Sequence, residues 1–258
     1  EGTHTEGIGV TSKPAYVVID GGSNFGIKGQ DFTALFDKKR YGLISYCFKG
    51  QEMLKSTPQP NFWRAPVDDD IGNLMPIRYA QWKIASLYAS CFSPIKGREL
   101  DNPTLEQQED CAVIKYKYYL PTTPAGYCNL TYTVYGDGTI KTKLSYQPIA
   151  ELGDMPEFGM MFKMSADFDN LEWYGNGPEE TYCDREKGAK LGIYQNKVQD
   201  NVTPYLMPQE CGNKTGVRYA KVTDEAGRGL IFRGNGMNFS ALPYTPHELE
   251  QAAHYNEL

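Results

Sequence analysis

Histidine is scarce. Only His4, His247 and His254 are present, so few side chains can exchange a proton near neutral pH without help from their surroundings. His4 falls in a polar, glycine-rich opening stretch. His247 and His254 follow Thr245-Pro246, which reads as the start of a short helix over 246–255, and surface roles are expected for both. The sequence has no Walker loop, no nucleophile elbow and no H-E-x-x-H, which removes the usual marks of nucleotide hydrolases, serine hydrolases and zinc proteases. Cysteine is sparse: Cys47, Cys91, Cys111, Cys128, Cys183 and Cys211 are scattered, with no C-x-x-C spacing. That excludes a disulfide scaffold and a zinc knuckle and predicts unpaired, mostly buried thiols. Positive charge is in deficit, with 26 Lys and Arg against 32 Asp and Glu and a net charge of -6. A nucleic-acid partner, which needs clustered cations against phosphates, is therefore not expected. No apolar run approaches the roughly 18 residues that span a bilayer, and no signal-peptide core opens the chain. No membrane partner is expected.

What is abundant points to sheet. Nineteen Tyr and 11 Phe accompany 26 Gly and 16 Pro, a mixture of strand-favouring aromatics and turn formers. Residues 1–14 read as a tail or interdomain linker, and 15–258 as one β domain. Short strands are predicted over 15–20, 24–31, 33–37, 43–48, 111–120, 129–135, 139–146, 160–164, 171–174, 216–222, 229–234 and 237–241. Lys115 and Lys117 alternate with Ile114, Tyr116 and Tyr118, as in a half-buried strand. Gly136-Asp137-Gly138 gives the sharpest hairpin signal. One helix is predicted over 77–89, with Ile77, Ala80, Ile84, Leu87 and Tyr88 as its apolar face. Strands without intervening long helices argue against βαβ units and for an all-β fold. The chain starts Glu1-Gly2-Thr3 and stops at Asn256-Glu257-Leu258, so it reads as an excised piece of a longer protein.

Three clusters carry candidate chemistry. In the first, Asn61 to Asn73, the acids Asp68, Asp69 and Asp70 either ligate calcium, without the spacing of an EF-hand, or pair with Arg64 in a buried network. In the second, Trp173 to Arg185, the acids Glu179, Glu180 and Asp184 are of the type glycosidases use in pairs; the plainer reading is a Gly-Pro turn with Asp184 and Arg185 paired locally. The third, Thr203 to Asn213, is proline-bracketed and ends in Glu210 and Asn213; it either lines a groove or forms a structural turn.

These clusters also carry a resemblance. Phe62 to Gly72 (F-W-R-A-P-V-D-D-D-I-G), Gly153 to Met160 (G-D-M-P-E-F-G-M), Tyr174 to Arg185 (Y-G-N-G-P-E-E-T-Y-C-D-R) and Pro204 to Asn213 (P-Y-L-M-P-Q-E-C-G-N) occur in this order. Together they resemble the carboxy-terminal domain of the large bacterial β-galactosidases of glycoside hydrolase family two. The resemblance runs from about Tyr16 to the end. It implies an antiparallel supersandwich of the galactose mutarotase type, truncated at its C-terminal end, because the family domain continues past the equivalent of Leu258 with further strands and a D-D-S-W segment. It also implies that the catalytic carboxylates lie upstream, in a TIM barrel, and that none is in this chain. Gly72, Asn73, Leu74, Met75 and Pro76 would form a loop at the mouth of that barrel's active site, with Gly72 as a hinge. Arg64, Asp68, Asp70, Asp184, Arg185, Glu210 and Asn213 would be structural parts of the motifs.

The implied partners are the barrel and other upstream domains, a galactoside substrate, and further copies in a homo-oligomer. The implied compartment is the bacterial cytoplasm or periplasm. No cofactor is expected in this chain, with any Mg or Na held by the parent's catalytic domain. One departure stands out: where the family has Arg after the Pro of P-R-x-G-M, this chain has Glu157, so a salt bridge made by that Arg must be absent or reversed. Two other readings use the same residues: a free-standing carbohydrate-binding module with Trp63, Trp173 or tyrosines as stacking platforms, and an aldose epimerase built on the same sandwich.

Overall fold

The computed structural model describes residues 14–39, 42–91 and 103–258. The tail over 1–13 and His4 lie outside the described residues. The chain divides into two compact units, Glu1–Glu52, Ser90–Tyr119 and Tyr127–Gln147 in the first and Met53–Ala89, Leu120–Gly126 and Pro148–Leu258 in the second.

The first unit opens with an antiparallel meander of β1 (Val17–Asp20), β2 (Asn24–Lys28), β3 (Phe32–Asp37), β4 (Leu43–Phe48) and β5 (Gln51–Glu52). The chain then passes through β6 (Gln59–Asn61) and three helices of the second unit. It returns as β7 (Thr104–Gln107), β8 (Cys111–Leu120), β9 (Gly126–Tyr135) and β10 (Ile140–Tyr146), a second antiparallel sheet. Period-two patterning makes the two sheets a sandwich. Phe32, Ala34 and Phe36 of β3 are buried while Thr33, Leu35 and Asp37 are not. Ile114, Tyr116 and Tyr118 of β8 and Leu130, Tyr132 and Val134 of β9 are buried in the same way. Phe36 meets Tyr132 at 5.3 Å between ring centroids, and the Tyr116 hydroxyl donates to the Asp37 carbonyl at 2.7 Å. At about 1.5–3 kcal/mol for each large side chain fully buried, this alternation is the main force fixing strand register. The β9–β10 hairpin turns through Gly138 at φ +90°, a conformation L side chains rarely adopt. Asp137 Oδ1 there accepts from the Thr139 amide at 2.8 Å.

In the second unit β6 pairs with β11 (Gly159–Met161), and β12 (Asn170–Gly177), β13 (Lys190–Lys197), β14 (Lys214–Thr223) and β15 (Gly229–Phe239) form an antiparallel sheet in the order β13-β12-β14-β15. Leu171, Trp173, Ala220 and Val222 are buried on one face of it. The two strands predicted over 229–234 and 237–241 are one strand, bent where the β14–β15 register shifts between Lys214 and Tyr219, with Gly236 at φ +73°. Strand β13 was not predicted, because it is an edge strand whose apolar residues Leu191 and Ile193 face solvent.

The helix predicted over 77–89 is two helices. After α1 (Asp68–Gly72) come α2 (Met75–Arg78) and α3 (Ala80–Tyr88), separated at Tyr79. Its predicted apolar face is also reversed. Trp82, Ala85 and Ser86 are buried, whereas Ile77, Ile84, Leu87 and Tyr88 are exposed. The physical reason is Trp82, which packs on Phe62 at 5.8 Å, and Ser86, whose hydroxyl accepts from the Phe62 amide at 2.8 Å and donates to the Trp82 carbonyl at 2.9 Å. Helix α4 (Pro246–Gln251) is capped by Thr245, with reciprocal bonds to Glu248. All six cysteines are unpaired. Among the described residues no helix is long and apolar enough to cross a membrane. The architecture is all-β with short helical insertions.

Candidate functional site: a buried acid cluster where four motifs meet

Arg64 leaves the chain just before α1, and Asp70 lies in that helix's first turn. The guanidinium grips the Asp70 carboxylate with both terminal nitrogens, Nη2 to Oδ1 at 3.0 Å, the bidentate geometry that makes such pairs strong and directional. Asp70 also accepts from the Val67 amide at 3.0 Å, so a single carboxylate closes the turn and holds the arginine. Asp68 and Asp69 point to solvent. Among the described residues no group of three or more His, Cys, Asp or Glu is placed to hold a metal ion. Asp70 is committed to Arg64.

Two further carboxyls face Arg64 from distant motifs. Glu210 is buried. It receives the Tyr182 hydroxyl at 3.3 Å and bonds to the Ala65 backbone. Burial, and next the carboxyl of Glu157, push its pKa up to about 8. Burial likewise raises Glu157, against the opposing pull of a hydrogen bond to Asn61 and of Arg64. The first motif thus supplies Arg64 and Asp70, the second Glu157, the third Tyr182 and the fourth Glu210. One guanidinium is shared by three acids, and a buried acid in excess of its cations holds its proton into the neutral range.

Glu180 anchors a second hub. It accepts from the Tyr205 hydroxyl at 2.5 Å, Thr203 Oγ1 at 2.9 Å and the Gly212 amide at 2.7 Å, and pairs with Arg185 at 3.1 Å. Arg185 also donates to the Tyr205 hydroxyl at 3.2 Å and lies over the Tyr182 ring. The local Asp184–Arg185 pair expected from the sequence is not formed. The turn after β12 sends Arg185 back to Glu180 and leaves Asp184 exposed. Asn213 binds Thr181 in both directions, its Nδ2 donating to the Thr181 carbonyl at 2.8 Å and its own carbonyl accepting the Thr181 amide at 2.7 Å. Gly212 is required beside it: at φ +74° its Cβ would stand 2.6 Å from the Asn201 carbonyl oxygen. The partners Tyr182, Thr203 and Tyr205 had no signal of their own in the sequence beyond lying inside the clusters.

The segment 72–76 joins α1 to α2. Gly72, Asn73 and Leu74 are exposed and Met75 is buried. Pro76 opens α2, and Asn73 Oδ1 accepts from Arg78 at 2.9 Å. Gly72 has open space around a would-be Cβ and no left-handed φ, whereas Leu74 sits at φ 63°. The backbone departure in this segment is therefore at the leucine.

Two of the candidate sugar platforms, the tryptophans, are core. Trp63 and Trp173 are fully buried. Trp63 Nε1 donates to Glu250 at 2.9 Å, and Glu250 in turn pairs with Lys83 at 2.8 Å. Trp173 Nε1 donates to the Asn176 carbonyl at 3.0 Å, and Lys214 covers its ring at 4.7 Å. Neither indole face is open to a sugar.

Known proteins match this chain along most of its length. The family model described as β-galactosidase small chain matches residues 28–258. A β-galactosidase of Priestia megaterium is 42% identical over 95% of this chain and 23% of its own length. One from Halalkalibacterium halodurans is 36% identical over 96% and 24%. A β-galactosidase small subunit of Latilactobacillus sakei is 32% identical over 93% of this chain and 82% of its own length. The chain therefore spans about a quarter of the length of the first two relatives and most of the small subunit. Four motifs in order, an all-β fold and a match over nine-tenths of the residues place this chain in the β-galactosidase small chain family.

Proposed function

We propose that the chain is the non-catalytic C-terminal domain of a bacterial β-galactosidase, acting in the cytoplasm or periplasm. The parent hydrolyses terminal β-D-galactosides with retention of configuration through carboxylates of an upstream TIM barrel. This domain shapes the mouth of the active site with Gly72, Asn73, Leu74, Met75 and Pro76 and contributes to a homo-oligomeric assembly. The observation that carries the reading is what the cluster's acids already do. A retaining glycosidase needs two carboxyl groups roughly 5–5.5 Å apart, free to flank a glycosidic bond. Here Asp70 is closed by Arg64 and Val67, Glu180 by four donors, and Glu210 is buried and accepts from the Tyr182 hydroxyl. These acids hold the motifs to one another, and a catalytic pair supplied from elsewhere fits that commitment. Any Mg or Na requirement would then reside in the parent's catalytic domain.

The test is hydrolysis of a chromogenic β-galactoside by the purified chain, alone and after adding the separately expressed upstream portion. Inactivity alone with turnover restored by the added portion supports the proposal. Turnover by the chain alone refutes it and returns attention to Glu179, Glu180 and Asp184.

A further inference from the structure

The apolar residues that the helical spacing assigned to the core are the ones the fold leaves outside. On α3, Ile84, Leu87 and Tyr88 stand at i, i+3 and i+4 and share one side of the helix. They are 45%, 46% and 68% exposed, and Ile77 of α2 is 74% exposed. Leu74 adds a backbone argument. It is half exposed and held at φ 63°, a conformation that disfavours every side chain and that glycine takes without strain. A helix apolar on two sides is built to be covered on both.

The comparisons say what is absent. The Priestia megaterium and Halalkalibacterium halodurans relatives carry about three-quarters of their length beyond the part matched here, while the Latilactobacillus sakei relative is a small subunit. In a two-chain enzyme, contact between the parts has to be made by a surface of this kind, with no linker to help. We infer that Leu74, Ile77, Ile84, Leu87 and Tyr88 form the docking face for the large portion of the β-galactosidase. The inference rests on the function proposed above. It makes the segment 72–76 the near end of an interface whose far end is α3, so that docking and the placing of that segment at the active-site mouth are one event.

The experiment titrates the separately expressed large portion with this chain and reads the concentration giving half-maximal hydrolysis of a chromogenic β-galactoside. Ile84→Asp/Leu87→Asp raises that concentration on the order of 100-fold. The control Leu191→Asp/Ile193→Asp, on the equally exposed edge strand β13, leaves it unchanged. Leu74→Gly provides a variant that does not threaten the fold: relief of the left-handed φ keeps or raises the unfolding midpoint, while docking weakens several-fold. Three results overturn the inference in different ways. Restoration by Ile84→Asp/Leu87→Asp at the wild-type concentration removes the docking face and leaves the proposed function standing. Failure of the wild-type chain to restore activity at any concentration removes the proposed function and the inference together. Self-association of the chain in sedimentation velocity, lost in Ile84→Asp/Leu87→Asp while restoration is unchanged, assigns the face to a second copy.

Discussion

Replacing Glu210 by Gln should change how the second unit's stability depends on pH. In the folded chain the Glu210 pKa lies at about 8, against an ordinary value of 4.5, so the folded state holds this proton more tightly than the unfolded state does. The associated stability is fully present below pH 4.5 and is lost as pH rises through about 8. At about 1.4 kcal/mol per pKa unit, the loss over that window is on the order of 5 kcal/mol. Glutamine keeps the shape and an acceptor for Tyr182 but has no proton to lose. The variant should match wild type to within about 1 kcal/mol at pH 5 and exceed it by several kcal/mol at pH 9. Urea unfolding followed by tryptophan fluorescence suits the purpose, because Trp63, Trp82 and Trp173 all lie in the second unit and are buried. Glu157→Gln, which removes the facing carboxyl, should shrink the alkaline loss and move its upper end below pH 8. A difference between Glu210→Gln and wild type that stays constant from pH 5 to 9, or that favours wild type at high pH, would refute the account of the cluster.

Four further outcomes follow from the same structure. Arg64→Met leaves Asp70, Glu157 and Glu210 without their shared cation and should destabilise the second unit by about 3–5 kcal/mol in urea unfolding at pH 7. Gly212→Ala should lower stability by roughly 1–3 kcal/mol or more, given the 2.6 Å approach to the Asn201 carbonyl oxygen at φ +74°. Gly72→Ala, in open space at the end of α1, should be neutral or slightly stabilising in the same melts. Thr245→Ala removes the α4 cap and should lower stability by about 1 kcal/mol, read from the same unfolding curves.

Much of the sheet was legible because local signals and tertiary demands agree there. Gly136-Asp137-Gly138 turns as its composition dictates, and β8 alternates because Lys115 and Lys117 have nowhere to go but outward. The helical segment was misread for a definite reason: Ile77, Ile84, Leu87 and Tyr88 outnumber Trp82, Ala85 and Ser86 in apolar side chains, and periodicity alone cannot say which of two faces this chain covers. The acid cluster was legible as motifs but not as a site. Arg64 and Glu210 are 146 positions apart in sequence, and only the folded second unit brings them and Glu157 together. The partner of Arg185 was missed because a neighbouring charge in sequence is not a neighbour in space once the turn after β12 reverses the chain.

The central claim is that the acids of this domain build structure and catalyse nothing. The most direct measurement is kcat for β-galactoside hydrolysis by the chain assembled with its large portion, carrying Glu179→Gln, Glu180→Gln or Asp184→Asn in turn. The account predicts kcat within about tenfold of wild type for each assembled variant; a loss of roughly a thousandfold or more in any variant whose unfolding curve and assembly are unchanged would contradict it.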